Sequence, residues 1–195
     1  GKDDYVNTSC SVNFGQRAFA YTAPSGFKAL NTQNLPAPLV TKSSTVFDVI
    51  TYTGTGSSLT LPNGSSTPTS IAFTPDFVWL KGRSGATDHA IYDSVRDVQK
   101  DLVSNSNAAE TTQTTGLTAF GTNTFTVGSL AKLNTTSATY VGWAWDAGTS
   151  TDPNNTAGSI TSQVRANATA GFSVVSWSAN NAANQSDRPN PQMGG

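Results

Sequence analysis

The sequence predicts an all-β protein: an antiparallel β-sandwich or jelly-roll-like domain with little helix. Three observations lead there. Apolar residues fall in short runs of strand length, punctuated by Gly-, Pro- and Asn-containing turns. The densest run, Asp76 to Ser94 (DFVWLKGRSGATDHAIYDS), reads as two strands and a turn. Phe77 to Leu80 is introduced by Pro75, the turn chemistry lies in Lys81 to Gly85, and Ala90 to Tyr92 return. A second dense run, Thr139 to Trp145 (TYVGWAW), alternates in the same way. These two runs are expected to form the centre of the core.

The 195 residues suit one domain of ordinary size and can bury a core. Charged residues make up only 12%, about half the usual share, so solubility comes from hydroxyls and amides. Four Trp, five Tyr and nine Phe argue against disorder. A net charge of −1 with scattered signs builds no basic face for nucleic acid and no polybasic membrane patch. No apolar run approaches the ~20 residues that span a bilayer, and no signal peptide is present. With a single cysteine, Cys10, no disulfide forms within the chain, and a buried free thiol is expected. The start at Gly1 without Met leads us to expect a chain processed or excised from something longer.

In chain order, residues 1–8 are polar and suited to a fraying end. Residues 9–31 (SCSVNFGQRAFAYTAPSGFKALN) show Cys10, Val12 and Phe14 alternating as in a half-buried strand, then Phe19 and Tyr21, then a loop Ala23 to Gly26, closed by Phe27 and Leu30. This V-N-F-G-Q, F-x-Y, P-x-G-F, L pattern resembles the last strands of a SPRY domain, so 1–31 is assigned as a partial SPRY-like strand segment. Residues 32–45 read as a linker stiffened by Pro36 and Pro38. The main domain is assigned to 46–178. Val46 to Tyr52 alternates with both faces partly apolar, Gly54-Thr55-Gly56 turns, and Leu59 and Leu61 form a second strand. Pro62-Asn63-Gly64 is a further turn, and Ile71 and Phe73 are expected to begin the strand leading into the central hairpin. Val95, Val98 and Leu102 carry the one helix-like spacing, so residues 93–110 are expected to form a connection with a short helix or 3₁₀ turn at best. Leu117, Phe120, Phe125 and Val127 flank a turn at Gly121-Thr122-Asn123, and Leu130 to Asn134 reads as a loop. Residues 147–171 are Gly/Thr/Asn-rich, with Ile160 and Val164 as isolated anchors.

Gly171 to Ser178 (GFSVVSWS) then repeats Val46 to Thr53 (VFDVITYT) position by position, sharing F-x-V-[IV]-[TS]-[YW]-[TS]. A second copy one strand long suggests a tandem array interrupted just after a repeat begins. Residues 179–195 form a polar tail.

Read together, F-D-V-I-T-Y-T-G, P-D-F-V-W-L-K, D-H-x-x-Y-D-S-V-R, G-L-T-A-F, T-Y-V-G-W-A-W-D-A-G and A-G-F-S-V-V-S-W resemble the β-rich modules of marine bacteriophage fibre and virion proteins. In those proteins such modules often follow a SPRY-like segment. The resemblance implies structural aromatics, glycines and turns, and no catalytic site. That family usually has Gly where Asp97 stands here.

Reactive constellations are sparse. His89, flanked by Asp88 and Asp93, lacks the further ligands of a zinc site, and no G-x-S-x-G is present, so a hydrogen-bonded strand-edge histidine is expected. Asp88, Asp93, Asp101 and Glu110 show no spacing that favours a glycosidase pair. Asp152, Asn154 and Asn155 suit loop chemistry better than calcium ligation. Trp79, Trp143 and Trp145 sit inside apolar strands and are expected in the core. Trp177 stands apart near the end of the domain. No catalytic residue, metal or cofactor is expected. The candidate glycan or subunit contacts are Trp177, Tyr92, Asn105, Asn107, Asn154 and Asn155, with Ser104 to Thr115 and Thr149 to Thr156 as exposed loops. The sequence reading is a non-enzymatic structural and adhesive component of a virion surface, a tail fibre or decoration protein. Its expected partners are itself, as a homotrimer or head-to-tail polymer, other virion proteins and a host surface glycan. The alternative is a monomeric carbohydrate-binding module.

Overall fold

The computed structural model describes residues 12–13, 17–28 and 34–179. The chain divides into two compact units, Gly1–Pro38 and Leu39–Gly195. In the first, the described residues 17–28 contain no strand. The expected alternation at Phe19 and Tyr21 therefore yields no β structure there, and both side chains are exposed. No second strand among the described residues of that unit pairs with this backbone, and an isolated extended segment has no ladder to hold it. The loop at Ala23 to Gly26 is a turn: Phe27 N–H donates to Pro24 O at 3.1 Å, with Gly26 at φ +87°. Cys10, Phe14 and Leu30 of the SPRY-like pattern, and residues 180–195 of the tail, lie outside the described residues.

The second unit is all-β and antiparallel. A 3₁₀ turn, Ser43–Thr45, leads into β1 (Phe47–Thr53), β2 (Leu59–Leu61), β3 (Phe77–Gly82), β4 (Ala90–Asp93), β5 (Asp97–Leu102) and β6 (Thr111–Thr112). There follow β7 (Leu117–Gly121), β8 (Thr124–Val127), a one-turn helix α1 (Ala131–Asn134), β9 (Thr139–Trp145), β10 (Thr151–Asn155), β11 (Ser162–Asn167) and β12 (Phe172–Trp177). They form a six-stranded sheet in the order β1-β9-β3-β4-β5-β6 and two three-stranded sheets, β2-β8-β7 and β10-β11-β12. The expected central hairpin is β3–β4, and TYVGWAW is β9, lodged between β1 and β3.

The core lies between the six-stranded sheet and β2-β8-β7. Ile50, Tyr52, Val78, Leu80, Ala90, Tyr92, Tyr140 and Ala144 face Leu61, Leu117, Phe125 and Val127. The period-2 burial of β9 puts Tyr140, Gly142 and Ala144 inward and Val141, Trp143 and Trp145 outward. The tryptophans expected in the core are therefore half-buried on the opposite face. Space decides this: a Cβ on Gly142 would stand 2.8 Å from Leu80 Cδ2 and 3.5 Å from the Phe125 ring. At the middle of the strand only a residue without a side chain fits that side undisturbed.

Four further expectations are corrected. Residues 97–102 form β5 rather than a helical connection. Asp93 Oδ1 accepts from the N–H groups of Val95 (3.1 Å) and Arg96 (2.8 Å), closing a tight turn that sends the chain back antiparallel. Asp97 then sits at φ +87°, in the left-handed region that favours glycine, and its own Oδ1 accepts from Val98 N–H at 2.7 Å. Ile71 and Phe73 are buried without forming a strand. Residues 130–134, expected as loop, include α1. Its carbonyls are taken by two tyrosines stacked at 5.1 Å: Tyr52 donates to Leu133 O (2.8 Å) and Tyr140 to Ala131 O (3.0 Å). Finally, residues 149–156 include strand β10 rather than forming only a loop, with Pro153 tolerated on an edge.

The crossing from β1 to β2 passes from one sheet to the other and depends on Asn134, which is fully buried. Its Oδ1 accepts from Thr55 N–H (2.7 Å), and its Nδ2 donates to Ser57 O and to Gly128 O (2.8 Å). One amide thus joins the crossing loop, α1 and the end of β8. Asn134→Ala would leave the buried Gly128 O and the part-buried Thr55 N–H and Ser57 O without this partner, so we expect a loss of about 2 kcal/mol in denaturant unfolding. Asn134→Asp should fail similarly, because a carboxylate cannot donate to two carbonyls.

Candidate functional site

The outer face of the six-stranded sheet carries the aromatics that the core excludes. Strand register sets them in rows. Phe47, Trp145 and Phe77 lie side by side, and next to them Val49, Trp143, Trp79 and Ile91. Ile91 is in turn opposite Leu102 of β5. The first row is covered by Phe172 of β12. Its ring stacks on Trp145 at 5.8 Å and meets Phe77 edge-on at 5.9 Å. In the second row Trp79 and Trp143 are tilted at 6.0 Å, and Trp79 Nε1 donates to His89 Nδ1 at 2.8 Å.

The β10-β11-β12 sheet is fastened by a buried ion pair. Arg165 of β11 places Nε 2.7 Å from Asp76 Oδ1 and donates from Nη2 to Gly148 O at 2.7 Å. Asp76 also accepts from Ala147 N–H (3.0 Å) and Ser94 Oγ (3.0 Å). Nearby, Asn167 Nδ2 donates to Asp146 Oδ2 at 3.0 Å. Burial pushes the Asp76 carboxyl above its ordinary range, and the Arg165 charge and the donated hydrogen bonds offset only part of that rise.

Held this way, β12 borders an open groove of about 490 Å³. All six residues Phe172–Trp177 line one side, and Phe77, Ile91 and Leu102 line the other. Both parities of a strand line a cavity only where its edge, rather than one face, meets it. Among the described residues β12 pairs with β11 alone, so this is its unpaired edge. Arg96 also lines the groove, and its charge is balanced by Asp93 (2.6 Å) and Glu110 (2.7 Å). A polar hollow elsewhere lies among Thr87, Asp88, Lys132 and Thr135, where Lys132 pairs with the buried Asp101.

Of the sequence-predicted contacts, Trp177 is 54% exposed beside the groove. Tyr92 is fully buried on the inner face, where desolvation and the Asp101 charge push its hydroxyl above its ordinary range; it contacts no glycan or subunit there. Asn155 is also buried, with Oδ1 accepting from Ala157 N–H at 3.3 Å. Tyr92 loses its assignment because the strand period turns it inward, and Asn155 because it lies buried past a register irregularity in β10. Asn105, Asn107 and Asn154 are exposed but distributed: Asn105 ties Asp88 (2.9 Å) to His89 N–H (3.1 Å), and Asn154 N–H donates to Asp152. His89 is the hydrogen-bonded histidine expected. Among the described residues no group of three or more His, Cys, Asp or Glu is placed to hold a metal ion, and no helix is long and apolar enough to cross a membrane. Sequence reasoning missed the groove wall across from β12 and the Arg165–Asp76 anchor. The repeat of the β1 pattern was the signal that pointed to β12.

The family model described as a domain of unknown function, DUF7483, matches residues 42–187. The chain belongs to this family. The match takes in every strand described above, and it begins a few residues after the boundary between the two units. No curated protein and no solved structure matches the chain.

Because its folded-state pKa is raised, Asp76 holds its proton more tightly in the native protein than in the unfolded chain. Its contribution to stability is therefore present at acid pH and is lost as pH rises through the folded pKa. Asp76→Asn cannot titrate and leaves Arg165 without its counter-charge. We expect the variant to be less stable than the parent at neutral pH, and the gap to widen as pH falls toward the ordinary carboxylate range. Urea unfolding of both proteins from pH 7 to pH 4 checks this.

Proposed function

We infer that this DUF7483 chain is a non-enzymatic structural and adhesive module of a virion surface, a phage tail fibre or decoration protein that assembles with copies of itself. One observation carries the reading: among the described residues β12 has a neutral unpaired edge, with an exposed Trp177 and an apolar groove alongside. Exposed edges of this kind template pairing with another chain. Several of the other edges are blunted: β10 contains Pro153, β2 and β6 are two or three residues long, and β1 is bridged at Thr51 by Thr67; β7, at the edge of its sheet, carries no such device. The resemblance of the strand motifs to marine phage fibre modules agrees with a role in assembly.

A second reading, a monomeric carbohydrate-binding module, is favoured by the half-exposed Trp79–Trp143 pair, whose faces suit sugar C–H groups.

Light scattering of the native protein across a dilution series, with imaging for filaments, separates the two. The assembly reading predicts a dilution-resistant trimer or a filament. A monomer at every concentration that binds immobilised glycans saturably would replace it with the second reading.

A further inference from the structure

We propose that Lys132 and Asp101 are joined by an intramolecular isopeptide bond: Lys132 Nζ condenses with the Asp101 side-chain carboxyl to give a buried amide and release water. The inference is independent of the assembly reading.

A buried carboxylate without hydrogen bonds points to it. Three carboxylates are buried among the described residues: Asp76, Asp93 and Asp101. Asp76 accepts from Ala147 N–H and Ser94 Oγ. Asp93 accepts from the N–H groups of Val95 and Arg96 and from Arg96 Nε. Asp101 is the most deeply buried of the three, at 1% exposure, and neither of its oxygens makes a hydrogen bond. Lys132 Nζ touches its Oδ2, at an angle at which no hydrogen bond forms. A charge taken out of water needs both a counter-charge and hydrogen bonds. This carboxylate has the first without the second. An amide carries no charge, so condensation removes both buried charges at once.

The fold places the two groups for reaction. Asp101 lies on β5, buried on the inner face beside Tyr92 of β4. Lys132 lies on α1, where Tyr140 holds Ala131 O and Leu133 is fully buried. Both reactants therefore stand on elements fixed by the core, which replaces a chance encounter by a standing contact. In water, hydration of the two charges opposes their loss; burial removes that hydration. The step is a condensation with no redox change. One proton passes from Nζ to the carboxyl, leaving a neutral amine and a neutral acid. The amine lone pair attacks Cγ, the C–N bond forms and a C–O bond breaks. The departing oxygen takes the acid proton and a second proton from nitrogen, and leaves as water. The Tyr92 hydroxyl, kept protonated first by burial and then by the Asp101 charge, is the neighbouring group that can carry the second proton. Lys132 also lines the polar hollow, an exit for the water. The link closes the loop that holds β6, β7 and β8 and ties β5 of the large sheet to α1. Such a staple constrains the unfolded chain as a disulfide does, in a chain whose single cysteine can form none within itself.

Intact mass spectrometry of the denatured full chain should give a mass one water below that of the sequence. Trypsin with a glutamate-specific protease cuts after Lys100, Glu110 and Arg165. The digest should contain one species in which 101–110 is joined to 111–165, because an acylated Lys132 is not cut and carries the link. Lys132→Arg keeps the charge but offers no amine, so it should show its full mass and release 101–110 free. These readings are made on denatured chains and hold whether or not the variant folds. A parent chain of full sequence mass would overturn the proposal. So would loss of water with 101–110 released free, as a succinimide would leave it, or loss of water that persists in Lys132→Arg.

Discussion

Close packing at Gly142, in the middle of β9, shapes the contact between the two sheets. β9 is the strand around which the large sheet is laid, with β1 on one edge and β3 on the other. At its midpoint a Cβ on Gly142 would stand 2.8 Å from Leu80 Cδ2, so a side chain there would displace that leucine, and the Phe125 ring lies in contact at 3.5 Å. Dense packing of this kind holds two sheets at a fixed distance, because a void or an overlap of one methylene is felt throughout the core. The consequence runs outward. With Tyr140, Gly142 and Ala144 inward, Trp143 and Trp145 lie on the other face, and the outer surface of the sheet becomes aromatic.

Two polar devices fix what packing alone would leave loose. Asn134 clamps the crossing between sheets, while Tyr52 and Tyr140 hold α1 against them; the Tyr52 hydroxyl is pushed above its ordinary range chiefly by burial, with smaller effects from Tyr140 and Tyr92. At the other side, Asp76 and Arg165 fasten the β10-β11-β12 sheet. Breaking a buried ion pair from one partner strands the other charge, so this contact specifies position as much as it stabilises. The outer aromatic row, the anchored small sheet and the edge of β12 then form one surface.

Much of this was legible in the sequence, and the failures share a cause. Alternation located β1, β2, β3, β4, β7, β8 and β9, because one-sided burial imposes a period of two. It could not say which face is inner when both are apolar, as at Phe47 to Tyr52 and at Trp143 and Trp145. That choice is made by Phe125 and Leu80 from elsewhere in the chain. β5 was hidden because Val95, Val98 and Leu102 fall at helical spacing by coincidence, while the turn at Asp93 is specified by a carboxylate bonding its own backbone. β10 was hidden by its turn-like composition, TDPNN. Within the candidate site, Trp177 and the importance of β12 came through the repeated pattern. Tyr92 and Asn155 did not, since exposure at a strand position depends on the neighbouring layer.

Among the described residues β12 has one strand partner, and the proposed assembly would give it a second. Amide hydrogen exchange, read residue by residue across a dilution series, tests this most directly. The account predicts that alternate amides of Phe172–Trp177 exchange rapidly in dilute solution and become protected as concentration rises, while β9 is protected throughout. Uniform, concentration-independent protection of all the β12 amides would contradict it.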